Sequence, residues 1–73
     1  MMLWTTDDVE RLPYGCIITD GLARVFRTAA IHTASGEPRV ILTYTRAGHH
    51  IFPVDLEYPA AVTSWPQQNR NNQ

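Results

Sequence analysis

Residues 39–46 read Arg39-Val40-Ile41-Leu42-Thr43-Tyr44-Thr45-Arg46. The run is dense in β-branched and aromatic side chains. It lies between two turn-forming clusters, Ser35-Gly36-Glu37-Pro38 and Ala47-Gly48-His49-His50. A run of this kind between turn formers reads as a β-strand. The pattern repeats upstream, where Cys16-Ile17-Ile18-Thr19 is a short β-branched run, Asp20-Gly21 a two-residue hairpin signal and Leu22 to Thr33 a long strand. Downstream, Ile51 to Tyr58 alternates, with Phe52, Val54, Leu56 and Tyr58 on one face. Pro53 has no N–H to give a ladder, which assigns that strand to an edge or a bulge. Pro59 ends it, and Ala61 to Trp65 form a short last strand ended by Pro66.

The only helix candidate lies within Met1 to Leu12. Thr5 or Thr6 serves as N-cap, and Asp7, Asp8 and Glu10 sit where the positive end of the helix dipole favours acids. Thr5-x-x-Asp8 has the spacing of a capping box, Leu3 or Trp4 can pack on Val9 or Leu12, and Pro13 stops the helix. The expected fold is therefore mainly β: an antiparallel five-strand meander or a small SH3-like barrel behind a short N-terminal helix. Residues 1–66 make one small domain, and the Gln/Asn-rich stretch 67–73 reads as a flexible polar tail.

A chain of 73 residues allows one domain, and domains of this size have thin cores. Cys16 is the only cysteine, so no disulfide can form within the chain, and a lone thiol fits a reducing compartment. No apolar run is long enough to span a bilayer, and the first residues lack a basic signal-peptide region, so the expected location is cytoplasmic. Six basic and seven acidic residues give a net charge of −1, which makes no electrostatic case for nucleic acid or for a membrane surface. All six basic residues are Arg, at 11, 24, 27, 39, 46 and 70.

Pairing Thr33 with Pro38 across the second hairpin puts Val25, Ala29 and Ile31 on the face of Val40, Leu42 and Tyr44. That face is the expected core, with Val54 and Leu56 packing nearby. Phe26 and Ile41 then turn outward beside Thr28, Thr43 and His32; these five residues form the expected protein-binding face, the alternative being that the terminal helix, with Leu3, Trp4, Val9 and Leu12, covers it. A one-residue slip would exchange the two faces.

No catalytic or cofactor signature emerges. His49 and His50 are adjacent and would point to opposite faces of a strand, which argues against a shared metal with His32. Cys16 sits in an apolar setting that suits a structural thiol, and Asp7, Asp8 and Glu10 are accounted for by helix capping. No metal and no cofactor is expected.

The segment Thr6-Asp7-Asp8-Val9-Glu10-Arg11-Leu12-Pro13-Tyr14-Gly15-Cys16-Ile17-Ile18-Thr19-Asp20-Gly21 resembles the opening of small β-rich accessory proteins of actinobacteria and their phages. Those proteins pass from a short helix through a Leu-Pro-x-Gly-x-x-Ile-x-Asp step into a hairpin. The resemblance covers about the first third of the chain, and the lack of Lys agrees with a GC-rich source. Leu22-Ala23-Arg24-Val25-Phe26 departs from the Gly-x-Val-Trp type of sequel. The resemblance implies a small β-rich accessory protein and transfers no catalytic residue. The expected function is a non-enzymatic interaction module that binds a host protein or itself. The alternative is a small nucleic-acid-binding barrel, which requires Arg24, Arg27, Arg39 and Arg46 to converge beside an exposed aromatic.

Overall fold

The computed structural model describes residues 1–66, and the expected polar tail 67–73 lies outside the described residues. In chain order the elements are β1 (Met2–Leu3), α1 (Thr6–Glu10), β2 (Ile17–Thr19), β3 (Val25–His32), β4 (Pro38–Tyr44), β5 (His50–Ile51), a 3-10 turn (Pro53–Asp55) and β6 (Ala60–Ser64). The fold is mainly β. It is one open antiparallel sheet of six strands, in the order β1-β6-β2-β3-β4-β5. Strands β2 to β5 are antiparallel neighbours in chain order. The last strand departs from that order, returning to the far side of β2, and β1 pairs outside it.

Helix α1 starts where the sequence says it should. The Thr5 hydroxyl accepts the Asp8 N–H at 3.3 Å, and the Asp8 carboxylate accepts the N–H groups of Thr5 at 3.2 Å and Trp4 at 2.8 Å. The capping box thus satisfies donors that no helical carbonyl can reach. Five residues are too few for a free helix. Val9 and Leu12 hold it down by packing into the core with Leu3, Ile18, Phe26 and Leu42.

The register of the central hairpin corrects the expected one. His32 pairs with Pro38, Ala30 with Val40, Thr28 with Leu42 and Phe26 with Tyr44. Thr33 N–H donates to Glu37 O at 3.0 Å, which leaves a three-residue loop, Ala34 to Gly36. Gly36 takes the left-handed conformation that such a loop requires, with φ +89°. The expected pairing needed a loop one residue longer, and the slip exchanges the faces. Phe26 and Thr28 therefore join Val40 and Leu42 inside, whereas Val25, Ala29 and Ile31 turn outward.

The segment Ile51 to Tyr58 is the second correction. Only His50–Ile51 pair with β4, and Pro53 starts a 3-10 turn in place of a strand. Leu56 is buried as expected, but Val54 stands 73% exposed and packs on nothing in the core. The Tyr58 hydroxyl donates to Pro53 O at 2.8 Å and fastens the turn.

The β2–β3 connection is organised by one carboxylate. Asp20 is buried, and its carboxylate accepts five hydrogen bonds: Leu22 N–H at 3.0 Å, Arg24 N–H at 2.9 Å, Arg24 Nε at 3.0 Å, Arg24 Nη2 at 2.7 Å and Glu57 N–H at 3.2 Å. It lets Ala23 sit at φ +63°, a conformation side chains disfavour, and it ties this loop to the one before β6. The Asp-Gly hairpin signal thus marks a five-residue loop, 20–24, in place of a two-residue turn.

Candidate functional site

Strand alternation gives the sheet two unlike faces. The core face carries Leu3, Ile18, Phe26, Thr28, Leu42 and Val62, covered by α1 and the 3-10 turn. On the outer face, Arg27 lies between Ile17 and Thr43 across the strands, Ala29 faces Ile41, and Ile31 faces Arg39. Neither α1 nor the 3-10 turn lies on that side.

The five residues expected to bind a partner do not form one surface. Phe26, at 1% exposure, is a central core residue. Thr28 is buried too, and its role is to anchor the chain between α1 and β2. Its hydroxyl accepts Cys16 N–H at 2.9 Å and donates to Pro13 O at 2.8 Å, while its backbone bonds Gly15 N–H and Cys16 O. His32 is exposed at the far end of β3. Ile41 and Thr43 do lie on the outer face, as expected. Ile41 is 7% exposed yet lies outside the core cluster, and the Thr43 hydroxyl is hydrogen bonded to His50 Nδ1 at 3.0 Å.

The arginines do not converge. Arg24 pairs with Asp20 at 2.7 Å and lies 5.3 Å from the centre of the Phe26 ring, whereas Arg39 pairs with Glu10 at 3.3 Å. Among the described residues, Arg27 on the outer face and Arg46 in the β4–β5 turn have no carboxylate partner. The histidines are equally scattered: His49 packs on Tyr44 with ring centres 5.2 Å apart, and His50 faces Thr43. Among the described residues no three His, Cys, Asp or Glu side chains gather as metal ligands. Burial pushes the Cys16 thiol up from its ordinary pKa, against an opposing hydrogen bond from Thr28, so the sulfur stays protonated at neutral pH.

A second surface has no counterpart in the expectations. The β5 ladder ends at Leu42↔Ile51, but β4 runs on to Pro38. Residues 38–41 therefore keep one open edge. Two depressions lie along it. One, of about 450 Å³, is lined by Thr6, Glu10, Arg39, Phe52, Pro53 and Val54. The other, of about 160 Å³, is lined by Glu10, Tyr14, Pro38, Arg39 and Val40. The Glu10–Arg39 pair divides them. Phe52, Val54 and Tyr14 are all exposed beside this groove.

Below the groove lies Tyr58, whose phenol is pushed up to about 12 by burial and then by the charges of Glu10 and Asp8. Its folded pKa thus lies above the ordinary value, so its contribution to stability is complete below about pH 10 and is lost as the pH rises through 12. Tyrosinate absorbance recorded against pH should show one phenol ionising late, with unfolding beginning in the same interval. Tyr58→Phe should abolish the late phase; if the late phase persists in that variant, the assignment fails.

No family model, no curated protein and no solved structure matches this chain. No helix among the described residues is long and apolar enough to cross a membrane.

Proposed function

We propose that this protein is a non-enzymatic interaction module whose outer sheet face docks on another protein. The observation that carries the reading is that, among the described residues, the helix and the 3-10 turn cover one face of the sheet only. Its outer face presents the exposed Ile31 and the half-buried Ile17, Val25 and Ala29 around Arg27, which has no carboxylate partner among the described residues. Apolar side chains left uncovered on a sheet mark a contact surface. The charge of Arg27 selects the occupant: an apolar surface bearing a carboxylate. A second copy of the same face is disfavoured, because it would bring a like charge and no acid at that point. The resemblance of residues 6–21 to small accessory proteins of actinobacteria and their phages is in keeping with a host protein as the partner. The nucleic-acid reading has less support, since two of its four arginines are already neutralised within the fold.

The test is a photo-crosslinking residue placed at position 29 in native host cells, with position 7 on the helix as control. An adduct with one identified protein is expected from position 29 alone, and Arg27→Glu should remove it. Equal labelling from both positions, or an adduct indifferent to Arg27→Glu, would count against the outer face.

A further inference from the structure

We propose that the open edge of β4 is a second, separate binding site, which takes an extended peptide segment of another protein by strand addition. The direction of the backbone groups carries this. Thr45 N–H donates to Val25 O and Thr33 N–H to Glu37 O, so the odd-numbered residues of β4 bond β3. Tyr44 N–H donates to His49 O on the opposite side. Alternation then aims the N–H and C=O of Val40 away from β3, at the position that would continue β5. That position belongs to Pro53, which has no N–H and turns away into the 3-10 turn. The β5 ladder stops at Leu42, and no turn, loop or cap hydrogen bond among the described residues reaches the Val40 groups. Yet Val40 is only 6% exposed. Buried backbone donors and acceptors are nearly always paired. Free N–H and C=O groups on a sheet edge beside a groove are a template for an incoming strand.

The surroundings fix the chemistry of that strand. A residue set opposite Val40 shares its face of the sheet and so projects toward α1 and the 3-10 turn. There the larger depression offers Phe52, Pro53 and Val54, which suit an apolar side chain. The Glu10–Arg39 pair, half-exposed on both sides, bridges the edge at 3.3 Å. A pair of that kind contributes little to stability and swings aside at small cost. A second copy of β4 paired about Val40 does not fit. Antiparallel pairing centred on Val40 would bring Pro38 of one copy opposite Leu42 of the other, where β5 already lies. The occupant is thus a short extended segment with an apolar residue, held by Val40 and by the Pro38 carbonyl.

The probe is a displayed library of random decapeptides panned against the full chain, with the strongest binders then made synthetically and titrated by NMR. Recovered peptides should share an apolar residue. They should shift the Val40 and Ile41 amide resonances and slow hydrogen exchange at Val40. Val54→Asp alters a side chain that is 73% exposed and leaves the fold intact, and it should weaken binding by about tenfold or more. Arg27→Glu, on the outer face, should leave this affinity unchanged. Failure to recover a binder, an unmoved Val40 amide in the complex, or loss through Arg27→Glu in place of Val54→Asp would overturn the proposal. Dimers joined through β4 in solution would overturn it as well.

Discussion

Asp20→Ala should destabilise the domain by about 3 kcal/mol or more, the lower end of what breaking a buried ion pair costs. The carboxylate receives five hydrogen bonds from three residues, so its removal strands backbone donors at Leu22, Arg24 and Glu57 together. Arg24 softens the loss, because its side chain is one-third exposed and can turn to water, whereas that of Asp20 is fully enclosed. Against a total stability of about 5–15 kcal/mol for small domains, the change should move a urea midpoint far toward zero. Acid supplies the second arm of the test. Burial alone would raise the Asp20 pKa, but the hydrogen bonds from Arg24, Glu57 and Leu22 outweigh it and hold the carboxyl below its ordinary value. A depressed acid stabilises the fold fully above the unfolded value of about 3.9, and the benefit is lost as the pH falls through the folded value. The parent should therefore weaken below about pH 4, and Asp20→Asn should lack that part of the acid response. A midpoint unchanged by Asp20→Ala would show that the loop is held by other means.

Phe26→Ala should cost about 3–5 kcal/mol, the range for truncating a buried aromatic. Its ring lies 5.4 Å from that of Tyr44, with the Arg24 guanidinium above it and Ile18 beside it across the ladder. This measurement also decides the register. With Thr33 paired to Pro38, Phe26 would face outward, and its truncation would change binding while sparing stability. With His32 paired to Pro38, stability falls. Ala29→Ser on the outer face is the control, and it should change the midpoint little. A Phe26→Ala midpoint equal to the parent's would contradict the register.

What could be read from the sequence divides by how local its cause is. The capping box at Thr5 and Asp8 lies within four residues, and α1 begins where those residues say. The runs around Ile17, Val25 to Ile31 and Val40 to Tyr44 are strands because their composition suits a pleated surface wherever it lies. The faces were harder, since both candidate registers bury large apolar groups. The decision rests on a single glycine: Gly36 in the left-handed region closes a three-residue loop, and a longer loop would have inverted the hairpin. The stretch Ile51 to Tyr58 misled because inward Leu56 and Tyr58 also arise from a chain that leaves the sheet through a 3-10 turn. Pro53, read as an edge signal, is the residue that begins the departure. The groove along β4 had no signature at all. Thr6, Glu10, Arg39 and Val54 come together only because α1 and the turn share one side of the sheet.

The strand order has a consequence in time. β2, β3 and β4 are hairpin neighbours and can zip as soon as each is available, since closing a short loop costs little entropy. β1 has no ladder partner except β6, at the opposite end of the described chain, through Met2↔Ala61 and Leu3↔Ala60. The first strand of the described chain is thus among the last to find its place. Until Ala60 and Ala61 arrive, Leu3 waits without its neighbour and β2 has a bare flank. During synthesis the bare flank of β2 is thus an open edge in addition to that of β4, and the arrival of β6 covers it.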